Sequence, residues 1–152
     1  MLTRHSSSEQ ETLALGREIG SRLRPPRVVL LSGVLGSGKT VLSRGLAEGL
    51  QIGDPALVRS PTFTLVNEYP ASGGVIHHID LYRLEGLRDL YSIGLEELLE
   101  GPGVVIIEWA EKLLLTVEDP VRISIEVEPD ARRRFLIEGI DLPDQAGPGS
   151  AP

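Results

Sequence analysis

The sequence predicts an α/β protein: a three-layer sandwich around a central, mostly parallel sheet, with an antiparallel hairpin at one edge. Three observations predict it. The apolar run Val28–Leu31 leads into Gly33-Val34-Leu35-Gly36-Ser37-Gly38-Lys39-Thr40 and then into a helix with Leu42, Leu46 and Leu50 on one face. That is the pattern G-x-x-x-x-G-K-[ST] in the strand–loop–helix context that gives it meaning as a P-loop. The unbroken apolar run Val104–Ile107 ends in Glu108, as in a buried parallel strand that delivers a carboxylate to the carboxyl edge of a sheet. Finally, Val121–Glu128 and Arg133–Gly139 alternate apolar and polar residues about Pro129-Asp130, which reads as a hairpin at the sheet's edge.

Taken in order, residues 1–7 read as a loose end. Ser8 and Glu11 have capping-box spacing, and Leu15, Ile19 and Leu23 repeat every four residues, which predicts an amphipathic helix over residues 9–23. Pro25-Pro26 stops it and leads into the first strand. In the helix after the P-loop, Gly45 and Gly49 cost up to about 1 kcal/mol each relative to Ala, so close packing against the sheet is expected there. Ser60 to Tyr69 reads as a strand that follows a Ser-Pro bend. Gly73-Gly74 turns into a further strand, Val75 to Arg83, on which His78, Asp80 and Tyr82 share one face by period-two alternation. The Leu- and Glu-rich residues 85–100, broken at Gly94, predict two short helices. Composition makes residues 1–140 one domain and residues 141–152 a disordered tail rich in Pro, Gly, Ala and Ser.

At 152 residues the chain is long enough for a core without staples. It has no cysteine and only three histidines, which excludes disulfides and thiolate metal sites. The net charge of −7 argues against broad gripping of nucleic acid. Without a long apolar run, the expected location is the cytoplasm, with no membrane contact.

The chemistry of the P-loop follows from its residues. Glycines expose successive backbone N–H groups, which form an anion nest at the positive end of the helix and fit the phosphates of ATP. Gly33, Leu35, Gly36, Ser37, Gly38, Lys39, Thr40 and Val41 are the candidate nucleotide-contacting residues. Lys39 is placed for the β- and γ-phosphates, and the Thr40 hydroxyl for Mg²⁺. Thr62 sits where nucleotide switches set a hydroxyl against the γ-phosphate, although an ordinary strand start explains it equally well. Glu108 is the stronger candidate for holding magnesium or orienting water, and Asp80 the second. Either is a possible direct ligand, and Asp80 also reads as a cap of the next segment. Trp109 packs in the core by default, but it directly follows Glu108 at the rim of the same site. Arg132-Arg133-Arg134 reads as a solvated edge that discourages aggregation.

With these pieces placed, the chain resembles the TsaE (YjeE) family of small P-loop ATPases of bacterial tRNA threonylcarbamoyladenosine biosynthesis. Four stretches carry the resemblance: Gly33 to Gly45; Ser-Pro-Thr-Phe-Thr-Leu at 60–65; His-Ile-Asp-Leu-Tyr-Arg-Leu at 78–84; and Glu-Trp-Ala-Glu-Lys at 108–112. The resemblance implies a modest, partner-activated ATPase that works with a TsaD–TsaB heterodimer. It also implies that tRNA is met only through that complex and that the protein is a monomer when alone. The family usually has Asp at the place of Val34 and often Thr at that of Val41. Loss of the second hydroxyl implies weaker nucleotide binding.

Two rivals remain from the residues themselves. A small-molecule kinase shares the P-loop but needs an arginine-bearing lid, for which residues 85–100 offer only Arg88. A GTPase-type switch needs a guanine reader, yet no Asn-Lys-x-Asp occurs and Asn67 is the sole asparagine.

Overall fold

The computed structural model describes residues 1–59, 66–84 and 93–144. In chain order these form β1 (Leu2–Ser6), α1 (Glu9–Arg22), β2 (Arg27–Gly33), α2 (Lys39–Gly49), β3 (Val66–Ala71), β4 (Gly74–Asp80), α3 (Leu95–Glu100), β5 (Val104–Glu108), β6 (Val121–Val127) and β7 (Arg133–Glu138). Short 3₁₀ turns cover Pro55–Leu57 and Ala110–Lys112. One seven-stranded sheet has the order β1-β7-β6-β2-β5-β4-β3. Its centre, β6-β2-β5-β4, is parallel, and the flanking pairings are antiparallel. The expected sandwich is therefore present. No helix among the described residues is long and apolar enough to cross a membrane.

Alternation along the central strands creates the layers. Val29 and Leu31 of β2 join Ile106, Ile123 and Phe135 in a core covered by Leu15 and Ile19 of α1 and Leu42 and Leu46 of α2. Val28 and Leu30 point the other way, with Val105, Ile107 and Ile79, into a second core that includes Leu95 of α3. β5 is buried along its whole length, as its unbroken apolar run requires.

Three readings are corrected. The first residues are not a loose end, because Leu2 to Ser6 pair with Ile137 to Arg133 as the outermost strand. The hairpin β6–β7 lies on the antiparallel flank as expected, but β1 covers its outer side. The glycines of α2 serve helix packing rather than sheet packing. A Cβ on Gly49 would stand 2.4 Å from the carbonyl oxygen of Arg17, and one on Gly20 of α1 would stand 2.3 Å from that of Leu46. Glycine is thus required at the crossing of α1 and α2. Of the sequence beyond residue 140, Leu142 is buried in the first core and Pro143 accepts a hydrogen bond from Arg4. α3 follows Gly94 as expected, and the other predicted short helix lies outside the described residues.

Gly20→Ala should lower stability by about 1–3 kcal/mol, because the obstructing atoms are backbone and overpacking outweighs the gain in helix propensity. Denaturant midpoints at constant slope measure it. An unchanged or raised midpoint would mean that the two helices separate freely.

Candidate nucleotide-binding site

β2 ends in the glycine loop, and α2 begins immediately after it. Gly36 and Gly38 have φ of 78° and 108°, values that side chains rarely adopt, and nothing lies within 4 Å of where their Cβ atoms would be. Gly38 caps α2 without a side-chain hydrogen bond, so the first-turn amides of this helix face the site. The Lys39 side chain, only 5% exposed, turns back along the loop. Its ammonium donates to the carbonyls of Gly33 at 2.6 Å and Val34 at 2.9 Å. It also stands over the Trp109 ring, 4.1 Å from the centroid. Burial holds the Lys39 pKa below its ordinary value, opposed by the nearby charges of Glu108, Glu111 and Asp80.

Strand register brings the two candidate carboxylates together. Glu108 is opposite Leu31 on one side and Asp80 on the other, so both acids emerge at the carboxyl edge beside the glycine loop. Glu108 is 2% exposed. Its Oε1 accepts from the Thr40 hydroxyl at 3.2 Å, and its Oε2 meets His78 Nε2. Asp80 Oδ1 accepts from the Tyr82 amide at 2.8 Å, which supplies the capping reading without removing Asp80 from the site. Next to Glu108 the chain enters the left-handed region at Trp109, φ 58°, a conformation that costs a non-glycine residue of order 1–3 kcal/mol. The reversal sets the indole between Lys39 and Tyr82, whose ring lies 4.8 Å away, so Trp109 belongs to the site.

These groups line one open cavity of about 550 Å³. Leu35 to Val41, Asp80, Glu108, Trp109 and Tyr82 form one part of its wall. The other part comes from residues that the sequence reading left out: Ser6 to Glu9 and Thr12, where β1 meets α1, and Ala131 and Arg133 from the hairpin. Arg133 is not simply a solvated edge residue. Its guanidinium donates to Ser37 O at 3.0 Å and Gly36 O at 3.2 Å and holds the loop from the side of β7. Its neighbours do behave as surface residues, with Arg132 paired to Asp130 and Arg134 to Glu126. Glu111 accepts from the Gly33 amide at 3.3 Å. Nothing in the local pattern marks Arg133, because its role depends on a strand that joins the sheet about a hundred residues later. Thr62 and Arg88 lie outside the described residues.

The donor set suits a hard cation. Thr40, Asp80 and Glu108 offer oxygen only, and magnesium is ordinarily held by one or two carboxylates together with substrate phosphates. Among the described residues no three His, Cys, Asp or Glu side chains gather as a self-sufficient metal cage.

Fold and site together define an α/β protein with a glycine loop between β2 and α2 at the carboxyl edge of its parallel central strands. Residues 6–135 match the family described as Threonylcarbamoyl adenosine biosynthesis protein TsaE. The chain belongs to the TsaE family. Among its relatives is the tRNA threonylcarbamoyladenosine biosynthesis protein TsaE of Nostoc sp., 45% identical over 137 residues that cover 81% of this chain and 83% of that one. The protein of the same description from Treponema pallidum is 39% identical over 133 residues, 87% of this chain and 96% of its own. The crystal structure of Bacillus subtilis YdiB superposes with a TM-score of 0.71 at 31% identity, over 88% of this chain and 82% of YdiB.

Proposed function

We propose that the protein is a Mg²⁺-dependent ATPase that supports threonylcarbamoyl modification of the tRNA adenosine next to the anticodon, in concert with a TsaD–TsaB complex. Family membership supports the pathway. One observation carries the chemistry: Lys39, Thr40, Asp80 and Glu108 come from two strand ends and the first turn of α2 and face a single cavity. In this reading the loop amides and Lys39 bind the ATP phosphates. Thr40, with Glu108 or Asp80, holds Mg²⁺, which when bound neutralises phosphate charge. Glu108 orients the attacking water. Among the described residues Arg133 is the arginine that lines the cavity, and its guanidinium is engaged with loop carbonyls. Slow turnover in isolation and acceleration by the partner complex follow from this, since a free arginine finger is worth about 10³–10⁵ in rate. The acidic chain, net charge −7, meets tRNA through that complex and works in the cytoplasm as a monomer when alone.

Phosphate release from ATP, measured with the protein alone and then with TsaD–TsaB, tests the proposal. Slow release that the complex accelerates is the expected result. Full activity without partners, with phosphate transferred to an added metabolite, would make the protein a kinase. GTP displacing a fluorescent nucleotide ten times better than ATP would make it a guanine-nucleotide switch.

A further inference from the structure

We propose that His78 is the positioning residue of Glu108, and that Tyr69 holds the His78 ring in place through a hydrogen-bond relay anchored on the backbone of Arg59. The inference rests on the reading of Glu108 given above as the carboxylate that orients water or magnesium.

His78 is fully buried, and its two ring nitrogens face different partners. Nε2 meets Glu108 Oε2, and Nδ1 lies 2.9 Å from the Tyr69 hydroxyl. The Tyr69 and His78 rings are tilted by 53°, so they meet through this bond rather than by stacking. A carboxylate only accepts, so Nε2 carries the proton that Glu108 receives. A neutral ring then leaves Nδ1 as an acceptor, which the Tyr69 O–H fills. That hydroxyl has a second acceptor in reach, the Arg59 carbonyl at 3.2 Å, which also accepts from Asn67 Nδ2 at 3.2 Å. The Arg59 amide in turn donates to the Tyr69 oxygen at 3.3 Å. Burial raises the Tyr69 pKa above its ordinary value, which keeps the phenolic proton in place.

With a neutral ring, one run of hydrogen bonds joins these groups: Arg59 N–H to Tyr69, Tyr69 to His78, His78 to Glu108, with the Thr40 hydroxyl on the other carboxylate oxygen. A leucine at position 78 would fill the same space without the cost of desolvating an imidazole. What the imidazole adds is direction. A glutamate side chain has rotamer freedom worth up to about 2 kcal/mol, and the relay removes it before any ligand arrives. It also links the carboxylate to the main chain at Arg59, on the far side of β4.

The direct test is the imidazole ¹H–¹⁵N correlation spectrum of the full chain. His78 should show a proton on Nε2 and an unprotonated Nδ1, and Tyr69→Phe, which removes the donor to Nδ1, should move the Nδ1 nitrogen resonance to that of an imine nitrogen without a hydrogen bond while the proton stays on Nε2. In ATP hydrolysis with TsaD–TsaB, His78→Leu and Tyr69→Phe should each lower kcat 10–100-fold, the range typical of residues that orient a metal-binding group, with KM within about twofold. His78→Gln, whose amide nitrogen restores a donor near the Nε2 position, should recover most of that loss. Tyr69→Phe keeps the ring and its packing, so it decides the matter even where His78→Leu fails to fold. A proton on Nδ1, or parent-like kcat in Tyr69→Phe, overturns the relay. If the parent hydrolyses no ATP, the proposed function fails, and the proton on Nε2 and the response of Nδ1 to Tyr69→Phe still decide the relay separately.

Discussion

On the proposed function, Glu108→Gln should lower kcat for ATP hydrolysis on the order of 10²-fold or more, the range for losing a positioned acid–base group, while nucleotide affinity and folding change little. The amide replaces the carboxylate nearly atom for atom. It can still accept from His78 and share a hydrogen bond with Thr40, so the buried polar network stays satisfied. What disappears is the negative charge at the head of β5, which acts chiefly on the transition state through magnesium or the attacking water. The same substitution removes the largest of the charges that support the Lys39 ammonium against burial. Its rate loss should therefore deepen towards alkaline pH. Asp80→Asn is expected to cost less, because Asp80 also caps the Tyr82 amide. Steady-state kinetics of both variants with the partner complex give the comparison. A tenfold larger kcat loss at Asp80 would exchange the two roles.

Lys39→Met removes hydrolysis by about 10²–10³-fold or more, the scale for losing one electrostatic contact to a developing charge, yet does not destabilise the fold near neutral pH. Burial depresses the Lys39 pKa below 10.5 in the native state, so the native protein releases this proton more readily than the unfolded chain does. Below the depressed value both states carry the charge, and the native state bears the whole cost of burying it. Between that value and 10.5 the unfolded state binds more protons, and stability rises with pH. Lys39→Met, which has no such charge, should thus be at least as stable as the parent at pH 7. Its advantage should shrink as pH climbs through the interval and vanish above 10.5. Melting curves of parent and variant across this range measure the difference. A variant markedly less stable at pH 7 would show that the bonds to Gly33 and Val34 outweigh the buried charge.

The parts of the site that are local in sequence were legible in advance. The glycine loop, Lys39 and Thr40 occupy neighbouring positions, and the apolar run before Glu108 already specifies a strand buried on both sides. Asp80 and Glu108 were both candidates from the sequence, but their pairing across β4 and β5 was not read in advance. The parts supplied from a distance were not legible. Arg133 reads as surface charge until β7 turns it towards Gly36 and Ser37. The run Leu-Thr-Arg-His-Ser looked like an unstructured start because its one exposed and one covered face are too short to show a period. Gly45 and Gly49 announced a close approach, but the partner is α1 and not the expected sheet, since a missing side chain leaves no record of what fills its place. Trp109 was read partly as core because a left-handed backbone at a tryptophan cannot be anticipated from residue type.

β1 precedes every other element of this sequence, and its partner β7 follows them all. Leu2 lies opposite Ile137, and Ser6 opposite Arg133, so β1 has no strand to pair with until residues 133–137 have been synthesised. The phosphate loop, by contrast, is complete by residue 40. A nascent chain therefore carries the loop long before it carries the wall formed by Ser6 to Glu9 and Arg133. The pairing that closes the cavity joins the earliest strand to the latest one described, so the binding site is complete only once β7 has been synthesised.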